Sequence, residues 1–121
     1  MELEVLDAEL SVCKLNTKTE PDLPGGLYFL ARTDEELSLV CETERVPAAA
    51  LARDDGWRAF RIRGTLDFSL IGILSRLSAV LAEQGIGIFA VSTYNTDYIL
   101  VKRENLHRAL AALEQAGYVI A

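Results

Sequence analysis

Between two apolar runs, IGIFAV and YILV, the chain reads Ser92-Thr93-Tyr94-Asn95-Thr96-Asp97. Hydroxyls, an amide and a carboxylate gathered there exceed what a two-strand connection requires of its turn. A carboxylate flanked by hydroxyls holds an ammonium well, and the free backbone N–H groups at a helix start hold a carboxylate well. Ser69, Leu70, Ile71 and Gly72 stand where an apolar helical stripe begins, so they are the expected source of such N–H groups, and Gly72 permits close approach. Together the two stretches suit a small zwitterion. Each residue also has a plainer role open to it. Asp97 can cap a hairpin, and Thr93, Asn95 and Thr96 are ordinary turn formers. Asp67 can be an N-cap. Gly72 inside a helical pattern costs roughly 1 kcal/mol relative to alanine, which asks for a reason in packing or in a ligand.

The elements that must position these residues are legible in the second half. WRAFRIRG, residues 57–64, alternates as a strand. Leu70, Ile73, Leu74, Leu77 and Leu81 recur at helical spacing up to Gln84-Gly85. Residues 86–92 and 97–102 predict two strands of a hairpin, and Leu106, Leu110 and Leu113 predict a second helix ended by Gly117 before a last strand at 118–120. The order βαββαβ implies an α+β, ferredoxin-like sandwich with an antiparallel four-stranded sheet and both helices on one face. Residues 3–15, 26–33 and 38–44 read as strands. The segment NTKTEPDLPGG, 16–26, carries too many breakers for a helix, and VPAAALARDD allows a short helix near Pro47. Residues 1–56 thus read as an abbreviated copy of the unit at 57–121, and neither half buries enough apolar surface to be expected to stand alone.

Composition narrows the function. The chain has 121 residues, a net charge of −6 and dispersed cations, the wrong footprint for a phosphate backbone, so no nucleic-acid partner is expected. Apolar stretches too short for a spanning helix and an acidic start predict neither membrane anchor nor signal peptide, hence a cytoplasmic chain. Cys13 and Cys41 lack metal-ligand spacing and read as buried small hydrophobes, and no cofactor or metal site is expected. With His107 the lone histidine and no nucleophile motif, the chain does not read as an enzyme.

LDFSLIGIL at 66–74, AEQGIGI at 82–88 and above all STYNTDYILV resemble an ACT domain. The last stretch is similar to the tandem ACT subgroup that includes aspartokinase-like pairs and the eukaryotic cytosolic arginine sensor. The resemblance implies two tandem units, a free amino acid as ligand beside the loop entering the first helix, and a regulatory role without catalysis. It places Ser69, Leu70, Ile71, Gly72, Ser92, Thr93, Tyr94, Asn95, Thr96 and Asp97 at the site. A homodimer is expected, in which Ser92 to Thr96 of one subunit approach Ser69 to Gly72 of the other. A ligand-free scaffold serving dimerisation or protein interaction is the alternative.

Overall fold

The first strand, β1 (Glu2–Leu15), serves two compact units in turn. The computed structural model describes residues 1–18, 20–67 and 70–121. The larger unit comprises Met1–Asp7 with Arg58–Ala121, and the smaller one Ala8–Trp57. Expectation divided the chain at 56/57. The first seven residues instead belong with the C-terminal part, because the start of β1 completes its sheet.

In chain order the remaining elements are β2 (Tyr28–Arg32), β3 (Leu37–Glu42), a single 3₁₀ turn (Thr43–Arg45), β4 (Ala52–Ile62), α1 (Ile73–Glu83), β5 (Phe89–Ser92), β6 (Asp97–Lys102), α2 (Arg103–Gln115) and β7 (Val119–Ile120). Within the larger unit the strand order is β7-β1-β4-β6-β5. This is the ferredoxin-like α+β order with one insertion. The last strand does not lie beside the first strand of its own βαββαβ run, since β1 stands between them and pairs in parallel with β7, Glu2 opposite Val119 and Leu3 opposite Ile120. Leu3, Phe60, Ile62, Ile99 and Val101 from the strands meet Leu77, Leu81, Ala109 and Leu113 from the helices in one buried core. Only period-two strands facing 3.6-period helices bring these residues to a common side.

Both helices stop in the same way. The amide of Ile86 bonds the carbonyl of Leu81 at 3.0 Å and that of Gly85 bonds Ala82 at 2.9 Å; Tyr118 to Leu113 and Gly117 to Glu114, each 3.0 Å, repeat the pattern. These are Schellman closures, and they explain why EQG and EQAG each lead into an apolar segment. Arg108 Nη1 also donates to the Gln84 carbonyl at 2.9 Å, tying α2 to the end of α1.

The smaller unit has strand order β2-β3-β1-β4 and a core of Cys13, Leu15, Leu37, Leu39 and Cys41, with Tyr28, Val46 and Ala50 packed on it. Its first crossover carries no helix among the described residues, as the breakers at 16–26 predict. The short helix expected near Pro47 is absent: Ala50 N–H bonds the Pro47 carbonyl at 3.1 Å in an isolated turn, and the chain enters β4 at Ala52. The strand expected over 57–64 therefore begins five residues earlier. Arg53 pairs with Asp55 at 3.0 Å, Asp55 accepts from Ser11 Oγ at 2.6 Å, and Leu51 N–H bonds Lys14 O at 2.8 Å. Cross-strand partners hold an RDD segment extended despite its low strand preference. The strand expected over 86–92 is shorter, with Ile86 to Ile88 lying outside β5.

Candidate functional site

Within the larger unit a cleft of about 350 Å³ lies between the loop leaving β4 and the β5–β6 hairpin. The hairpin contributes Ser92 to Asp97, and the loop and helix entry contribute Leu66, Asp67, Leu70, Gly72, Ile73, Leu74 and Ser75. The two candidate stretches are thus brought together in one chain. Of the residues expected from sequence, Leu70, Gly72, Ser92, Thr93, Tyr94, Asn95, Thr96 and Asp97 line the cleft. Ile71 does not line it and is 87% exposed, and Ser69 falls outside the described residues.

The hairpin is built by its own hydroxyls. Ser92 pairs with Asp97 in register, and Ser92 Oγ donates to Asp97 Oδ1 at 2.6 Å. Thr93 donates from both its amide, at 2.8 Å, and its Oγ1, at 2.9 Å, to the carbonyl of Thr96. Thr96, only 7% exposed, donates its Oγ1 to the Ile62 carbonyl at 2.7 Å, which fastens the turn to the end of β4. The Leu66 amide bonds the Asn95 carbonyl at 2.6 Å, so the far wall of the cleft is fastened to the same turn. Thr93 and Thr96 therefore spend their hydroxyls on holding the turn, while Tyr94, 79% exposed, Asn95 and Asp97 line the cleft beside them.

The helix entry differs from expectation. α1 starts at Ile73, not Leu70, and Gly72 is its N-cap in the left-handed region with φ +80°. It makes no side-chain cap bond, so Asp67 is not the cap and instead lines the cleft. The Leu70 amide is spent on the Asp67 carbonyl at 3.0 Å. Consequently the N–H groups with no partner inside the helix include those of Ile73, Leu74 and Ser75, at the positive end of the helix dipole. Sequence reasoning missed these three because it took the stripe as continuous through Gly72; a glycine just ahead of Ile73 was the available signal. With Asp67 and Asp97 both at the cleft, the site offers amide donors at the helix start, two carboxylates, and the apolar walls of Leu66, Leu70 and Leu74.

A second cleft of about 440 Å³ shares Thr93, Asn95 and Thr96 and contains Arg61 and Arg63. Its cations are paired internally. Arg61 meets Glu4 at 3.0 Å and donates to Tyr98 Oη at 3.0 Å, with the ring centroid 5.7 Å from the guanidinium, and Arg63 meets Glu2 at 2.8 Å. The Tyr98 and Glu4 bonds push the Arg61 pKa up from its ordinary value. Among the described residues no cluster of three or more His, Cys, Asp or Glu is disposed to hold a metal, and no helix is long and apolar enough to cross a membrane.

A ferredoxin-like α+β unit with a cleft at its helix entry has the architecture of an ACT domain. The chain belongs to the ACT domain family, whose model matches residues 52–115, just over half of the sequence. The whole chain is similar to a crystal structure of an Agobacterium tumefaciens protein, at 32% identity and a TM-score of 0.89, over 99% of this chain and 91% of that one. A Vibrio cholerae protein of unknown function, described as a possible transport protein, is 24% identical with a TM-score of 0.74, over 92% of this chain and 85% of the other. The ligand-free regulatory subunit of aspartate kinase from Thermus thermophilus shares the fold at 11% identity and a TM-score of 0.65, covering 95% and 96% of the two chains.

Proposed function

We propose that the chain is a non-catalytic regulatory module that binds a free amino acid in the cleft between the helix entry and the hairpin. The observation that carries this reading is the convergence, around one cleft of about 350 Å³, of the α1 amide donors with the Asp97 carboxylate. A cleft of that size suits a small ligand. The α-carboxylate would meet the N–H groups of Ile73, Leu74 and Ser75, and the α-ammonium would meet Asp97, with Ser92 holding that carboxylate in place. The ligand's side chain would lie toward Asp67, Leu66 and Leu70. The likeness to a regulatory subunit of aspartate kinase supports a regulatory role.

Thermal unfolding in the presence of each of the twenty amino acids is the test. A ligand at a hundredfold excess over its Kd stabilises by about 2.7 kcal/mol, and one or a few members of the panel are expected to raise Tm accordingly. A flat panel would favour the alternative, a ligand-free scaffold. That alternative has its own support in the hairpin, where Ser92, Thr93 and Thr96 already spend their hydroxyls within the chain.

A further inference from the structure

The smaller unit repeats the hairpin of the larger one at a constant offset. Phe29 pairs with Val40 and Arg32 with Leu37, as Phe89 pairs with Leu100 and Ser92 with Asp97. The turns close alike. Thr33 donates its amide to the Glu36 carbonyl at 2.9 Å and its Oγ1 receives the Glu36 amide at 3.0 Å, matching the bonds of Thr93 with Thr96. Two positions at the cleft are exchanged. Leu37, fully buried, stands where Asp97 stands, and Arg32 stands where Ser92 stands.

The Arg32 side chain crosses from the hairpin to the segment leaving β1, the counterpart of the segment leaving β4 that forms the far wall of the larger unit's cleft. Its Nη1 donates to the Thr17 carbonyl at 3.0 Å and its Nη2 lies 3.5 Å from Glu20 Oε1. A carbonyl and a carboxylate around a guanidinium are the partners that a ligand's cation would take. We infer that the smaller unit keeps the hairpin-and-loop frame of a small-molecule site and occupies it with its own Arg32, so that the chain takes one ligand per copy and Arg32 serves as an internal guanidinium ligand joining hairpin to loop. The count of one and the description of the frame as a ligand site rest on the reading of the larger unit's cleft; the Arg32 bridge from hairpin to loop does not.

Hydrogen exchange on the full chain tests it through the amides of Asn16, Thr17, Lys18 and Glu20. In Arg32→Ala these are expected to exchange about two- to fivefold faster than in the unaltered chain, the range of an exposed ion pair. Added methylguanidine is expected to restore protection in Arg32→Ala and to leave the unaltered chain unchanged, while urea, planar but neutral, restores nothing. Arg32→Lys, a cation without the planar fork, is expected to exchange like Arg32→Ala. Unchanged exchange in Arg32→Ala, or equal effects of urea and methylguanidine, would overturn the inference. Should the amino-acid panel yield a ligand, calorimetry is expected to give one site per chain, and two sites would overturn the self-occupied reading while leaving the larger unit's cleft intact. A flat panel with methylguanidine rescue would remove the amino-acid reading alone.

Discussion

Cys13 and Cys41 lie diagonally across β1 and β3, Cys13 opposite Leu39 and Cys41 opposite Ser11, both buried and both free. Burial, then the neighbouring Cys41, push the Cys13 thiol up to about 11 from an ordinary 9.0, and burial raises Cys41 as well. The folded chain therefore keeps protons that the unfolded chain releases, and stability is expected to fall as pH rises from about 9 to about 11. Calorimetric Tm across that window should drop more steeply in the unaltered protein than in Cys13→Ala. At the cleft, Asp97→Asn keeps an oxygen for the Ser92 hydroxyl and removes only the charge, so it is expected to weaken amino-acid binding by about 1.5 to 3 kcal/mol without loss of the fold. Unchanged affinity by calorimetry would make Asp97 a hairpin residue only. The sequence marks both positions by residue type: a cysteine without a spaced partner reads as core, and an acid among hydroxyls reads as a polar anchor. It does not separate Thr96 from Asp97, because the difference is that Thr96 reaches the Ile62 carbonyl, a partner 34 residues distant.

That Thr96 bond belongs to the hairpin as an element. Thr96→Val keeps the shape and removes the donor from a buried carbonyl, with an expected loss of about 1 to 3 kcal/mol in urea denaturation. A loss below about 0.5 kcal/mol would mean that water replaces the hydroxyl. The entry of α1 depends on Gly72 in a similar way. A Cβ there would meet the Arg76 guanidinium at 3.6 Å, ordinary contact, so space is not limiting; the φ of +80° is. Gly72→Ala is expected to cost about 1 to 2 kcal/mol and Gly72→Asn less, since asparagine tolerates the left-handed region. Equal stability of all three would place the helix start elsewhere. Valine, which helix propensity alone would favour over glycine at an interior position, is strained at this one. The helices, the hairpin and their glycine exits were legible because periodicity and closure are local. The start of β4 was not, since Arg53, Asp54 and Asp55 favour a turn in isolation, and it is Ser11 on Asp55 and Lys14 on the preceding Leu51, both far away in sequence, that hold the segment to β1.

At the scale of the whole molecule, the order βαββαβ was legible but the place of β7 was not, because local pattern does not reveal that the chain's first residues would stand between β7 and β4. The same holds for the expected exchange of the site between subunits. The cleft has both of its walls in one larger unit, so a second copy is not needed to assemble it. A second copy still has a role to fill. Among the described residues, β5 ends the larger unit's strand order and β2 ends the smaller unit's, so both are edge strands. Around the cleft Leu70, Ile71 and Tyr94 are 51%, 87% and 79% exposed, apolar surface at the rim of the proposed ligand site. Pairing of an edge strand satisfies the backbone, and covering of the rim removes apolar area from water at about 25 cal/mol per Å². We therefore expect a homodimer whose association strengthens when the cleft is filled, since a ligand bound more tightly by the covered form must favour that form. Sedimentation velocity at micromolar concentration, with and without the amino acid found by thermal unfolding, reads both parts. Ile71→Glu places a charge on the rim outside the cleft lining and is expected to weaken the dimer while leaving the monomer's ligand affinity within about twofold. A monomer under both conditions would remove the dimer and leave each chain's cleft as a site complete in itself.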